Sequence, residues 1–219
     1  DIGTQLQTAY TADGNTYGAH FDSVWTALAS SDNSYGGTRG IFWQTQRDFI
    51  RLRYYDPIVS AIESSVSGFS MTNYGIALRN VFWSRSVQHG SGGAKGLITS
   101  AFGALGGFVN QDEATLIDAI YAESGAVGAP RNNVLSGDTA VRFGISGASL
   151  DYYSGNSSDV QVGVYQRLRI NEVADAQQML ASYAYSGAPL SQGIYTISLN
   201  GFAQAFRFTY FASGHFTLT

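Results

Sequence analysis

The sequence contains no cysteine, which excludes a disulfide framework and any thiolate-based metal site and leaves the redox compartment open. Charge is sparse as well, at 13% of residues, and the net charge of −4 with a pI near 5.2 excludes the clustered Lys and Arg footprint that nucleic-acid binding requires. No run approaches the roughly 18 apolar residues of a membrane span, and no signal-peptide pattern is visible. What is abundant is glycine (26 residues), tyrosine (14) and phenylalanine (13), in a chain that is 44% hydrophobic. A surface built from Ser, Thr, Asn, Gln and Tyr suits neutral polar ligands, glycans among them. At 219 residues the chain can bury the core of one large domain, or of one domain plus an appendage. Its start at Asp1 is expected of a processed protein, a trimmed one or a fragment.

The first forty residues are rich in turn signals around one helix near residues 21–29. Residues 40–55 carry Phe42, Gln46, Phe49, Ile50 and Arg53 at three- and four-residue steps, which predicts an amphipathic helix with Phe42, Phe49 and Ile50 inward. Arg47, Arg51 and Arg53 on this run read as a solvated face. Asp56-Pro57 then supplies an N-cap and a first-turn proline, so two helices should meet at a sharp corner. Residues 74–89 are apolar nearly all round and predict a buried helix, stopped by a left-handed Gly90, with a further helix over 95–102. Asn110 with Glu113 resembles a capping box for a helix whose inner face is Leu116, Ile117, Ile120 and Tyr121, ending near Ser124-Gly125. Residues 126–153 read as a long ordered loop of the kind that carries binding groups, and Ser158 as the cap of a long helix. From Gly193 the period changes to two, predicting strands over 193–199, 203–211 and 215–219 with turns at Asn200-Gly201 and Ser213-Gly214. The fold class is therefore mainly α (α+β), with a helical domain over 1–186 and a β-hairpin or three-strand appendage over 187–219.

Candidate chemistry is thin. His20, His89 and His215 lack ligand spacing, so no metal site and no cofactor is expected. Gly144-Ile145-Ser146-Gly147-Ala148 fails the nucleophile-elbow pattern at its last position, and the glycine-rich turn after His89 matches no phosphate-binding motif. Glycoside hydrolysis needs a protonated acid at the leaving oxygen and a second group for the nucleophile or water. Among Glu63, Glu113, Glu123 and Glu172, Glu123 is best placed for a cleft, because it ends an apolar helix before a glycine-rich loop. Glu172, near Arg169 and Asp175, reads as a surface or inter-helix ion pair. Asp13, in the turn Asp13-Gly14-Asn15, is a second acid candidate whose plainer reading is turn chemistry. Gln88 and His89 read either as a helix end stabilised by the macrodipole or core hydrogen bonds, or as a sugar-contacting pair with Trp83 or Tyr121 stacking on a ring.

Five blocks in order carry a resemblance. FDSVWTALA from Phe21, QRDFIRLRYYDP from Gln46, VFWSRSVQHGSGGA from Val81, LIDAIYAE from Leu116 and SDVQVGVYQRLRINEVADAQQML from Ser158 together resemble the lysozyme-like domain at the C-terminus of some type VI secretion spike proteins and in related phage and bacterial peptidoglycan hydrolases. The resemblance implies a lysozyme-like helical fold and cleavage of β-1,4 glycosidic bonds in peptidoglycan. It implies extracellular or virion-associated action at the bacterial cell wall, and beside it Trp83, Gln88, His89 and Tyr121 are read from the residues as the candidate substrate contacts. That family places its principal acid upstream of the F-x-x-x-W helix, so the acid is expected outside this chain, on an upstream peptide of the same precursor, with Glu123 and Asp13 as the in-chain candidates. The expected partners are peptidoglycan glycan strands and other tail or spike proteins, without nucleic acid or a membrane span. The alternative is a non-catalytic virion structural or glycan-binding module.

Overall fold

The computed structural model describes residues 1–33 and 40–182 and, as backbone alone, three strands beyond them. In chain order it forms α1 (Ile2–Ala12), α2 (Ala19–Asn33), α3 (Ile41–Ile50), a π-helical turn (Arg51–Tyr55), α4 (Asp56–Ser65), a 3₁₀ turn (Met71–Asn73), α5 (Ile76–Ala104) and α6 (Glu113–Ser124). There follow β1 (Val127–Gly128), α7 (Asp138–Arg142), β2 (Ser149–Leu150), α8 (Ser158–Gln166), a second π turn (Arg167–Glu172) and α9 (Val173–Ser182). The strands β3 (Gly193–Leu199), β4 (Phe202–Tyr210) and β5 (Phe216–Leu218) close the order, giving the mainly helical fold with a small β part that the period change predicts. β1 pairs antiparallel with β2, and β3, β4 and β5 form an antiparallel sheet in which Gly193 faces Phe208 and Phe208 faces Leu218. The turns expected at Asn200-Gly201 and Ser213-Gly214, and the inward faces of these strands, lie outside the described residues.

The core forms around α5. Its buried side chains Leu78, Val81, Phe82, Leu97 and Ile98 pack with Ile58 and Ile62 of α4 and with Leu116, Ile117 and Ile120 of α6. Phe69 stacks on Phe82 at 5.8 Å between ring centroids, nearly coplanar at 5°. The predicted inner face of α6 is wholly buried. Its predicted counterpart on α5 is only partly so: Ile76 and Val87 are exposed, because α5 buries a stripe and not its whole circumference. Phe49, expected inward, is 56% exposed, while Phe42 seven residues earlier is buried. The long loop carries β1, α7 and β2 and closes over its own small core of Leu135, Ala140, Ile145 and Leu150.

Three local expectations are corrected. The sharp corner at Asp56-Pro57 does not form, since Tyr55 (φ −72°, ψ −56°) and Asp56 (φ −58°, ψ −43°) keep helical torsions. The π turn explains this: Asp56 N–H donates to the Arg51 carbonyl five residues back, so the wider turn absorbs a proline that has no N–H to give. The capping box at Asn110 is displaced. Asn110 sits at φ 65°, and Asp112 caps α6 by accepting from the Thr115 amide at 2.7 Å. Glu113 caps a different helix, accepting from the Gly75 and Leu78 amides at 2.8 and 2.9 Å at the start of α5. Ser157, not Ser158, occupies the N-cap of α8, and the Ser158 hydroxyl accepts from the Ser136 amide at 2.8 Å.

Glu113 therefore satisfies two α5 amides that have no intrahelical partner and places a negative charge at the positive end of the helix. Glu113→Ala is expected to lower stability by about 1–2 kcal/mol in urea denaturation, with Glu113→Gln retaining part of it.

Candidate functional site

Gly90 divides α5 into limbs 76–89 and 91–104. Its torsions (φ 67°, ψ 170°) lie in a region that only glycine enters readily, so the predicted glycine break is found, but the helix resumes at once and not at Lys95. His89, the last residue of the first limb, turns toward the long loop. Its Nε2 lies 3.0 Å from the Tyr153 hydroxyl, and the Tyr152 ring meets it edge-on at 5.7 Å. The Tyr152 hydroxyl in turn donates to Glu123 Oε1 at 2.5 Å. The break in α5, the end of α6 and the loop thus bring two residues proposed from sequence, His89 and Glu123, to one Tyr152-Tyr153 pair. Gln88, which precedes His89 in α5, is half-buried. Asp151 lies across the same turn, its amide donating to the Ala126 carbonyl at 2.9 Å and its carboxylate paired with Arg131 at 3.1 Å.

Burial, reinforced by the positive charges of Arg85 and Arg167, pushes the His89 pKa down from 6.5 to about 4. The imidazole is neutral near pH 7, so the hydrogen-bonded reading of this helix end applies and an imidazolium at the macrodipole does not. The unfolded chain takes up this proton near pH 6.5 while the native state resists it until about 4. Stability from this group is complete above 6.5 and is lost as pH falls toward 4. His89→Gln is expected to flatten the stability profile across that window in pH-dependent melting; an unchanged profile would refute the assignment.

Beneath this cluster lies a charged layer. Arg85, 0% exposed, donates to Glu172 Oε2 at 2.5 Å and to Ser84 Oγ at 2.9 Å, and its guanidinium lies over the Tyr121 ring at 5.1 Å. Glu172 also accepts from Arg167 of its own turn at 2.9 Å, while its pairing with Arg85 is the inter-helix ion pair expected. Tyr121 is consequently a core residue, with burial pushing its phenol up to about 12. A ring covered by a guanidinium and nearly inaccessible has no face free for a sugar, which corrects the stacking role given to it.

Asp13 is corrected as a proton donor. Its side chain, 8% exposed, accepts from the amides of Gly18, His20 and Phe21 and from His20 Nδ1 at 2.8 Å, tying α1 to the start of α2. These bonds, that from Phe21 foremost, hold its carboxyl at about 2, the opposite of what a general acid needs.

Trp83 belongs elsewhere. With Tyr55 (5.6 Å between rings, 37° apart) and Trp43 it walls an open cleft of about 780 Å³ between α3, the first π turn and α5. Arg47, Arg51 and Arg79 line the cleft together with Gln46 and Asn80, and no carboxylate does. All three arginines are exposed, in keeping with the solvated-face reading, and Arg47 and Arg51 line the open cleft as well. The stripes Trp43–Arg47–Arg51 and Ile76–Asn80–Trp83, each at four-residue steps or close to them, were the sequence signal for this cleft. The adjacent tyrosines at the end of the long loop were the signal for the other cluster.

Residues 4–129 match the family described as type VI secretion system spike protein VgrG3-like, C-terminal, a span of more than half the chain. The chain belongs to that family. The span includes α1 through α6, β1 and the whole aromatic cleft, and it reaches Glu123; Tyr152, Tyr153 and Glu172 lie beyond it in this VgrG3-like chain. No curated protein matches the chain. Among the described residues, no group of His, Asp and Glu is placed to hold a metal ion, and no helix is long and apolar enough to cross a membrane.

Proposed function

We propose that this VgrG3-like C-terminal domain is a peptidoglycan hydrolase of the secretion spike, cleaving β-1,4 glycosidic bonds with Glu123 as the proton donor. The observation that carries this reading is the half-buried Glu123 carboxyl, fixed by the hydroxyl of Tyr152, whose ring meets His89 edge-on. A proton donor for a glycosidic oxygen must be held in place at the edge of a polar surface, and Glu123 meets that need where Asp13 does not. Asp151, on the far side of the turn after α6, is the candidate for the second carboxylate. The domain would act outside the producing cell, carried with other spike proteins to the target's cell wall. In this reading residues 1–186 form the hydrolytic body, and 187–219 form an appendage.

A second reading, a non-catalytic glycan-binding module, is favoured by one observation: the aromatic cleft carries no carboxylate. The test is release of reducing ends from purified peptidoglycan by the unmodified chain and by Glu123→Gln. Release that is lost in the variant supports the proposal. Release that persists places the acid at another residue of the chain, and binding without release by either protein, persisting when the upstream peptide is supplied, supports the second reading.

A further inference from the structure

We propose that the cleft between α3 and the first limb of α5 is a separate carbohydrate site that selects sugars bearing a carboxylate. Three aromatic rings, Trp43, Tyr55 and Trp83, give stacking faces, and the cavity falls within the roughly 300–1,000 Å³ range of small-ligand clefts. Gln46 and Asn80 add amide donors and acceptors suited to hydroxyl and acetamido groups. These features alone would take a neutral sugar, as the composition suggests. The arginines change the preference.

Arg47, Arg51 and Arg79 are three of only 12 basic residues in a chain of net charge −4, so their convergence on one cleft is a local reversal of sign. Among the described residues no carboxylate lines the cleft, and only Arg51 has carboxylates near it, at the edge. Arg47 lies 5.8 Å over the Trp43 ring and forms no ion pair among the described residues. Arg51 stands 3.9 Å from both Asp48 and Asp56, at the limit of pairing and exposed to water. Arg79 is anchored through Nε and one N–H of Nη2 to the Tyr74 and Met71 carbonyls, at 3.2 and 3.3 Å, which fixes its direction and leaves the Nη1–Nη2 edge, a two-donor fork, for a ligand. A guanidinium held in position beside ring-stacking surfaces fits a pyranose that carries a carboxylate, the planar group whose two oxygens match its fork. Three cations in one pocket are too few, and the remaining charge too negative, for the extended basic track of a nucleic-acid site.

The inference stands apart from hydrolysis at Glu123, since the cleft and the Glu123 cluster share no residue. It is tested by tryptophan fluorescence, because two of the three tryptophans face the cleft. The titrants are tri-galacturonate, the disaccharide N-acetylglucosaminyl-N-acetylmuramic acid, the methyl ester of each, and octathymidylate. At least one acid is expected to bind roughly 10–100-fold more tightly than its ester. Preference for the first acid points to uronate polysaccharide and preference for the second to glycan strands stripped of their stem peptides, in which the muramic acid carboxylate is free. The preference is expected to shrink at high salt and to vanish in Arg47→Gln/Arg79→Gln, while Glu123→Gln binds as the unmodified protein does. Esters that bind as well as both acids, tighter binding of octathymidylate than of either acid, or well-folded arginine variants with unchanged preference would overturn it. Should those variants fold poorly, the comparison of acid with ester on the unmodified chain decides. Reducing-end release without acid preference would remove this inference and leave the hydrolase reading intact.

Discussion

Glu172→Ala is expected to destabilise the protein by about 3–5 kcal/mol, whereas Arg85→Met should change stability by about 1 kcal/mol or less. The asymmetry comes from burial. Arg85 is 0% exposed, so taking away its carboxylate strands a charge in the core; its Nε and Nη1 already have no hydrogen-bond partner among the described residues. Glu172 is 24% exposed and keeps Arg167 at 2.9 Å when Arg85 is gone. Methionine also refills much of the space over the Tyr121 ring with a polarisable thioether. The double variant should recover most of what Glu172→Ala loses, and urea midpoints of the four proteins measure this directly. An Arg85→Met variant that proves the more damaging of the two single changes would show that the buried charge is net stabilising. Arg85→Met should also let the His89 pKa rise from about 4, because one cause of its depression disappears while burial remains.

Glu123→Gln is expected to slow reducing-end release by roughly 10²–10⁴-fold, the usual contribution of a positioned general acid. The substitution is close to isosteric, and the amide oxygen can still accept from the Tyr152 hydroxyl, so the end of α6 and its melting temperature should be unaffected. A rate loss with an intact fold therefore reports chemistry and not packing. Full activity in a folded Glu123→Gln would remove Glu123 from the mechanism whatever the fate of the cleft arginines.

The features legible in the sequence are those fixed by local period or by residues close together in the chain. The inner face of α6, the glycine break after His89 and the change to strands at Gly193 are of this kind. Pairings over long separations were not legible. Glu113 looked like a cap for its own helix because its partners, the amides of Gly75 and Leu78, are brought to it only by the packing of α6 on α5. Tyr121 looked available for stacking because nothing near it in sequence shows that Arg85 covers its ring. Asp13 combined a correct local element with an undecided role, and only the three amides converging on it settle the carboxyl as a structural anion. Phe49 failed for the opposite reason: the helical period was right, but the period does not say which stripe the bundle will cover. Of the proposed site residues, Glu123 and His89 meet through Tyr152, which no spacing rule connects to either.

The two π turns tie the reading frame of this domain to its working surfaces. Each places one residue more than a regular helix would need, and each supplies side chains that matter: Arg51 and Tyr55 from the first, Arg167 and Glu172 from the second. Because a helix advances about 100° per residue, losing one residue from the first turn would swing Ile58 and Ile62 away from the core, and restoring the core would swing Trp43 and Arg47 out of the cleft. Length variation among related chains should therefore collect in the connections between helices and spare both π turns, although each is the kind of irregularity that would otherwise be trimmed away.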